Sequence, residues 1–356
     1  MRVGSDGPCV FPLTPALSRG ERGQKAFRHM CHAPGFALST AVFAPHLDAG
    51  AFGGYRRVMM KVVILGDLHL ISPDDANEAR RQGRHHFAAA WPSFKAMAAR
   101  IRDEAPDLVV SLGDVVDYFS PENRDFAMGW LDALKVRWLM TPGNHDLAWP
   151  DAPASAVAAV AAGPEGEGEA GPAEEDAEVL SQRRRAAARG AWAEAGVELG
   201  NRSLDADGVQ LLLMDTATSE VPEATRAWLD EVLAAAHAGP RLLLTHVPVN
   251  HPRVVDYILS VDPNRNLEKY VQRVPLFESH LRGRVEAVFT GHLHFPGEVE
   301  IEGTAMHMLP LSVSAVDREY RGQGAATVVE IERGGWRMRE LRPKTSLFTA
   351  ASQERG

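Results

Sequence analysis

From Lys61 onward the chain alternates between short apolar runs and longer segments with helical spacing. "KVVILGD", "DLVVSLGD", "VRWLMTPGN", "VQLLLMDT", "RLLLTHVP" and "VEAVFTGH" are apolar runs that each end in glycine or a polar residue. Runs of this kind suit strands covered on both faces. Between them, "HFAAAWPSFKAMAARIRDE" and "PEATRAWLDEVLAAAHA" read as helices. In the second, Ala227, Leu229, Val232 and Leu233 share much of one face, and Pro222 stands at a plausible helix start. Strand–helix alternation predicts an α/β fold. Farther on, "AMHMLPLSVS", "AATVVEIER" and "GWRMREL" come without long helices and predict antiparallel additions or a second sheet.

Two stretches break this rhythm. Residues 1–59 carry turn-formers and scattered arginines with no sustained period, and "PLTPALSRGERG" resembles a translated bacterial intergenic repeat. We expect a disordered or mis-called N-terminal extension, with Met59 or Met60 opening the domain; a targeting peptide is the rival reading, and the lack of a continuous apolar core argues against a secretory signal. Residues 150–178 form a low-complexity acidic insertion, in which "PEGEGEAGPAEEDAE" contains acids but no base. Its composition predicts a disordered or mobile loop, either a passive one or a lid. The expected organisation is an extension at 1–59, one domain at 60–345 carrying this insertion, and a C-terminal tail at 346–356.

Composition narrows the partners. The 356 residues are 45% hydrophobic, enough for a real core, and include no stretch of about 18 apolar residues that would span a membrane. Lys and Arg total 38 against 47 Asp and Glu, a formal charge of −9 that argues against a non-specific grip on nucleic acid. A small anionic substrate held by metal ions remains compatible with it. The two cysteines, Cys9 and Cys31, lie outside the expected domain, which excludes thiolate metal sites from its core and fits a reducing cytoplasm.

The chemistry gathers at the strand ends. Asp67 and His69 follow the first run, Asp114 and Asp117 the second, and Asn144, His145 and Asp146 the third. His246 follows "LLLT", and His292 and His294 follow "VFTG". In open α/β sheets ligands bind beyond the carboxyl ends of the strands. Carboxylates, imidazoles and one amide oxygen, without thiolate, suit Mn, Fe or Zn ions. Gly66, Gly113, Gly143 and Gly291 each precede one of these residues, where a missing Cβ permits a sharp turn and a close approach.

This ordered set resembles the calcineurin-like metallophosphoesterase superfamily, whose motifs run D-x-H, G-D-x-x-D, G-N-H-D/E, a later His, and G-H-x-H. All five stand here, from Asp67 to His294. The resemblance implies a four-layer α-β-β-α sandwich of two packed mixed β-sheets flanked by helices. It implies a dinuclear phosphohydrolase using two divalent or trivalent ions and a metal-bridging hydroxide. By the same resemblance Asp67, His69, Asp114 and His294 hold one ion; Asp114, Asn144, His246 and His292 hold the other; and His145 protonates the leaving alkoxide or stabilises its charge, oriented by Asp146 or Asp67. Asp117 is either a partner that orients a ligand or a helix N-terminal carboxylate. His251, Arg253, Arg265, Lys269 and Arg273 are further candidates for contact with substrate. The "GNHD" variant and the domain size are similar to bacterial cyclic-nucleotide phosphodiesterases, which favours a phosphodiester. A phosphomonoesterase or nucleotide pyrophosphatase is the alternative, and a non-catalytic interaction module the alternative of another class.

Overall fold

Val62 and Ile64 face one way along the first strand and Val63 and Leu65 the other, and all four are fully buried. A strand with no polar face needs a layer on each side of its sheet. The computed structural model, which describes residues 59–162, 177–315 and 324–343, supplies both layers. Most of the expected 1–59 extension, residues 163–176 of the acidic insertion and the 346–356 tail lie outside the described residues.

Among the described residues eleven strands form two mixed sheets. The first has the order β11-β10-β1-β2-β3 and is built from β1 (Met60–Leu65), β2 (Leu108–Ser111), β3 (Trp138–Met140), β10 (Ala326–Glu332) and β11 (Gly335–Leu341). The second has the order β4-β5-β6-β7-β9-β8. It comprises β4 (Arg202–Ala206), β5 (Val209–Met214), β6 (Arg241–Thr245), β7 (Ala287–Thr290), β8 (Gly297–Ile301) and β9 (Thr304–Met308). β1, β2 and β3 run parallel, as do β5, β6, β7 and β9, while β10 pairs antiparallel with β1 and with β11. The late strands thus divide between the expected antiparallel additions and the second sheet.

The helices are α1 (Glu78–Gly83), α2 (His85–Ala88), α3 (Trp91–Glu104), α4 (Pro121–Asp132), α5 (Ala154–Ala162), α6 (Ala177–Glu194), α7 (Glu223–Ala234), α8 (Pro252–Val261) and α9 (Leu267–Tyr270), with a π-helical turn at Phe277–Leu281. The helix expected over 86–104 is broken at Ala89–Ala90 because Pro92, in the first turn of α3, has no N–H for a helix running through it. The alanine-rich beginning of the acidic insertion is helical as α5.

Among the described residues three apolar clusters interleave with the two sheets. Val62, Ile64, Val110 and Leu139 meet Leu211, Leu213, Leu242, Leu244 and Phe289 between them. Val63, Leu65, Val109 and Val328 turn outward onto Phe94, Met97 and Ile101 of α3, Leu131 of α4 and Trp192 of α6. Leu212, Leu243 and Val288 turn outward onto Leu229 of α7 and Val254 and Ile258 of α8. Period-two alternation of apolar side chains on buried strands therefore builds helix, sheet, sheet and helix, the four-layer sandwich that the resemblance implies. Among the described residues no helix is long and apolar enough to cross a membrane.

Candidate metal centre

The carboxyl ends of β1, β2, β3, β6 and β7 deliver their polar residues to one place. Asp67 accepts from the backbone N–H of His292 through both carboxylate oxygens, at 3.0 and 2.9 Å, which ties the end of β1 to the end of β7. Asp114 accepts from the backbone N–H of His145 at 2.8 Å, joining the loops after β2 and β3. Gly143 permits this approach, since a Cβ there would overlap the Asp114 carboxylate, and Gly291 does the same for Asp67. His69, Asp114, His292 and His294 all take positive φ, between 46° and 70°. Each chain turns sharply and aims its side chain back across the strand ends.

Outer hydrogen bonds set the imidazole tautomers. Nδ1 of His69 donates to Asp117 at 3.0 Å, Nδ1 of His246 to the Leu112 carbonyl at 2.8 Å, and Nε2 of His292 to the Lys269 carbonyl at 2.8 Å. With each ring neutral, the remaining nitrogen faces inward as a lone pair. Nε2 of His69 stands 2.9 Å from Nε2 of His294, which is 3.1 Å from Asp67 Oδ2. Nε2 of His246 stands 3.1 Å from both His292 Nδ1 and Asn144 Oδ1. Asp114 Oδ2 reaches both groups, 3.7 Å from His69 and 3.4 Å from His246. Acceptors converging on acceptors repel one another unless a cation lies among them, so this donor set fits metal ions. Asp67, His69, Asp114 and His294 form one cluster, and Asp114, His246 and His292 another, with ligand atoms in each within 4.8 Å.

The electrostatics agree. Burial would raise the Asp114 carboxyl, but the charges of His246 and His145 outweigh it and hold it well below the usual carboxylate range. Burial would lower His246, yet the Asp114 charge drives it up to about 9. The negative potential that retains a proton there would equally retain a metal cation. Burial and the neighbouring His246 push His292 down to about 3, which keeps its inward nitrogen unprotonated.

Around this centre the structure refines the sequence reading. Asp117 accepts from His69 and from Arg84, whose Nε and Nη2 lie 2.7 and 2.5 Å from it. It precedes the N-cap of α4, Ser120, so it orients His69 rather than capping a helix. The expectation that Asp146 or Asp67 orients His145 does not hold. Nδ1 of His145 donates to the Asp117 carbonyl, while Asp146 accepts from the backbone N–H groups of Gly143, Val115 and Val116. Burial and the Asp114 charge raise the Asp146 carboxyl to about 7 against these bonds. The reason is geometric: Asp146 is fully buried beneath the loop, whereas His145 faces the cleft. His251 caps α8, Arg253 donates to the Glu300 carbonyl, and Arg265 pairs with Asp262. Those three serve local structure, while Lys269 and Arg273 line the cleft. Arg84 was not singled out by the sequence reading; a cation in "QGRHHF", with no spacing relation to Asp117, gives no signal.

The donor cluster opens into a cleft of about 890 Å³, lined in part by Asp114, Asn144, His145, His292 and His294. The sequence model of a family described as calcineurin-like phosphoesterase matches residues 60–296. No curated protein matches the chain. Purple acid phosphatase from yellow lupin superposes with a TM-score of 0.52 at 12% identity, over 81% of this chain and 52% of its own. A dimetal phosphatase from Danio rerio gives 0.45 at 15% identity, over 80% and 99%. Phosphopantetheinyl hydrolase from Mycobacterium tuberculosis gives 0.40 at 13% identity, over 71% and 90%. At such identities the likeness to the lupin enzyme is one of fold.

Proposed function

The chain belongs to the calcineurin-like phosphoesterase family, and from that premise we propose that it is a dinuclear-metal phosphohydrolase of small phosphorylated molecules, a phosphodiester being the favoured substrate. The observation that carries this reading is the placement of Asp114 Oδ2 between His69 on one side and His246 on the other. Asp67, His69, Asp114 and His294 would hold one ion; Asp114, Asn144, His246 and His292 would hold a second. Bound Mn, Fe or Zn ions would supply Lewis-acid charge on the phosphoryl oxygens and a water of lowered pKa. In this reading the domain spans 60–345, and Pro150 and Ala177, from the described ends of the 150–178 insertion, line the cleft.

The protein's own groups do the rest. Asp117 fixes the His69 ring through Nδ1, and Arg84 holds Asp117 in place. His145 is anchored through Nδ1 to a backbone carbonyl, which leaves Nε2 to carry a proton at the cleft. Nearly a third of its side chain is exposed, so it can reach a leaving oxygen without first displacing other residues. His145 also belongs to a third cluster with His69 and Asp117, but the Nδ1 atoms there are already hydrogen-bonded. We therefore assign His145 to proton donation.

The test is to strip the protein of metal, reload it with Mn²⁺, and assay bis-p-nitrophenyl phosphate, p-nitrophenyl phosphate and cyclic AMP. Metal-dependent turnover with the diesters ahead is the expected outcome. A lead for p-nitrophenyl phosphate would make the protein a monoesterase. Metal binding without turnover of any phosphoester would leave the interaction module as the reading.

A further inference from the structure

The cleft is more basic than an acidic chain of formal charge −9 leads one to expect. Arg80, Arg84, Arg184, Arg185, Lys269 and Arg273 all line it. Several are committed elsewhere. Arg84 is bound to Asp117, Arg273 pairs with Glu220 at 2.8 Å, and Arg185 approaches Glu178 at 3.8 Å. Arg184 differs: its Nε is buried without a hydrogen-bond partner among the described residues. A desolvated guanidinium N–H left unpaired is costly, and the planar fork matches a phosphate or carboxylate. Arg80, on the same cleft, also has a buried, unpartnered Nε; its other end reaches Asp151 at 3.4 Å and lies over the Tyr118 ring.

The position of Arg184 shows which anion it would meet. Helix α6 is anchored by buried Ala187, Ala188 and Trp192, and the Trp192 indole donates to the Asp146 carbonyl at 3.0 Å, next to His145. Arg184 lies eight residues before Trp192, which is about 12 Å along a helix axis. It therefore stands on an anchored helix in the cleft wall and is not one of the donor residues. With the scissile phosphoryl group held at the donor cluster, Arg184, outside that cluster, is left for a different part of the substrate.

Resting on the phosphohydrolase reading above, we infer that the cleft holds a distal anion subsite centred on Arg184, with Arg80 beside it. The preferred substrates are then phosphoesters that carry a second phosphate or carboxylate.

Thymidine 5′-p-nitrophenyl phosphate and the same ester bearing a 3′-phosphate share a leaving group and differ only in the added anion. The full-length Mn²⁺-loaded protein should show a lower KM for the 3′-phosphorylated ester, by about tenfold for one charged contact at a partly exposed site. Arg184→Ala should reduce that advantage to about twofold or less, and Arg184→Lys should keep an intermediate share, since it retains the charge but not the fork. Calorimetric binding of thymidine 3′,5′-bisphosphate and thymidine 5′-monophosphate to metal-free protein reads the same subsite without turnover. Thermal melting checks that each variant folds. Failure of both esters to turn over, with tighter binding of the bisphosphate that is lost in Arg184→Ala, would sink the activity and leave the subsite standing. An equal KM for both esters, or a bisphosphate advantage untouched by Arg184→Ala, overturns the subsite whatever the activity.

Discussion

Asp117→Asn tests how far the centre depends on a residue outside the donor set. The side chain keeps its shape but loses its charge. Its remaining oxygen can still accept from His69 Nδ1, now 3.0 Å away, but the new amide then faces Arg84 Nε, now 2.7 Å from the carboxylate, and donor meets donor. Hydrogen bonds to charged groups contribute about 1.5–3 kcal/mol each. The Arg84 side chain is 35% exposed, so its share is discounted for screening. We expect the metal-free variant to lose about 2–3 kcal/mol in total, roughly 4–12 °C in melting temperature. The other cost is to ligand orientation: losing an outer partner of a ligating histidine lowers metal affinity about 10–100-fold. Competition with a chromophoric chelator measures that constant. The pH dependence supplies a control. Against the burial that would raise it, the Arg84 and His69 contacts hold the Asp117 carboxyl below its usual range. Its stabilising contribution is therefore complete above the unfolded-state pKa, about 3.9, and is lost as pH falls through the folded value. The stability gap between wild type and variant should be full at neutral pH and close on acidification. Unchanged Mn²⁺ affinity would refute the reasoning and show that stacking on Phe87, at 4.3 Å between ring centroids, is sufficient to hold His69.

Three further outcomes follow from the same geometry. His145→Ala should retain close to the wild-type metal content by mass spectrometry and lose about 10²–10⁴ in kcat with an alkyl leaving group, but much less with p-nitrophenolate; equal losses for both esters would remove the proton-donor role. Gly143→Ala should abolish metal retention, because its Cβ would overlap the Asp114 carboxylate; a variant that binds metal normally would show that the loop yields. Adding Mn²⁺ to stripped protein at a hundredfold excess over its dissociation constant should stabilise it by about 2.7 kcal/mol, raising the melting temperature by roughly 5–10 °C; no shift in a scanning-calorimetry trace would argue against a binding site in the native state.

Much of this centre was legible in the chain because buried strands announce themselves as apolar runs, and their ends can then be searched for donors. Asp67, Asp114, Asn144, His246 and His292 were found in that way. β4 and β8 escaped, since their inner and outer positions alternate in burial and "RSLDA" and "GEVEI" contain too few apolar residues to mark a strand. The break before α3 was written in Pro92, but alanines on its N-terminal side disguised it as one long helix. Arg84 and the carbonyl that anchors His145 were out of reach for a different reason. Both act through tertiary contacts, and a backbone acceptor has no side-chain identity to read.

The left-handed backbone at His69, Asp114, His292 and His294 bears on what a relaxed copy of this chain would look like. Most L-residues pay about 1 kcal/mol or more in that region, whereas Asn, Asp, His and Gly tolerate it best. A descendant freed from catalysis would still be filtered at these four positions by conformation, and would go on showing residues that mimic a ligand set. Asp67, Asn144 and His246 have no such backbone restraint. Drift would erase them first. In a sequence of this kind, those three positions are the better witnesses to a working metal centre.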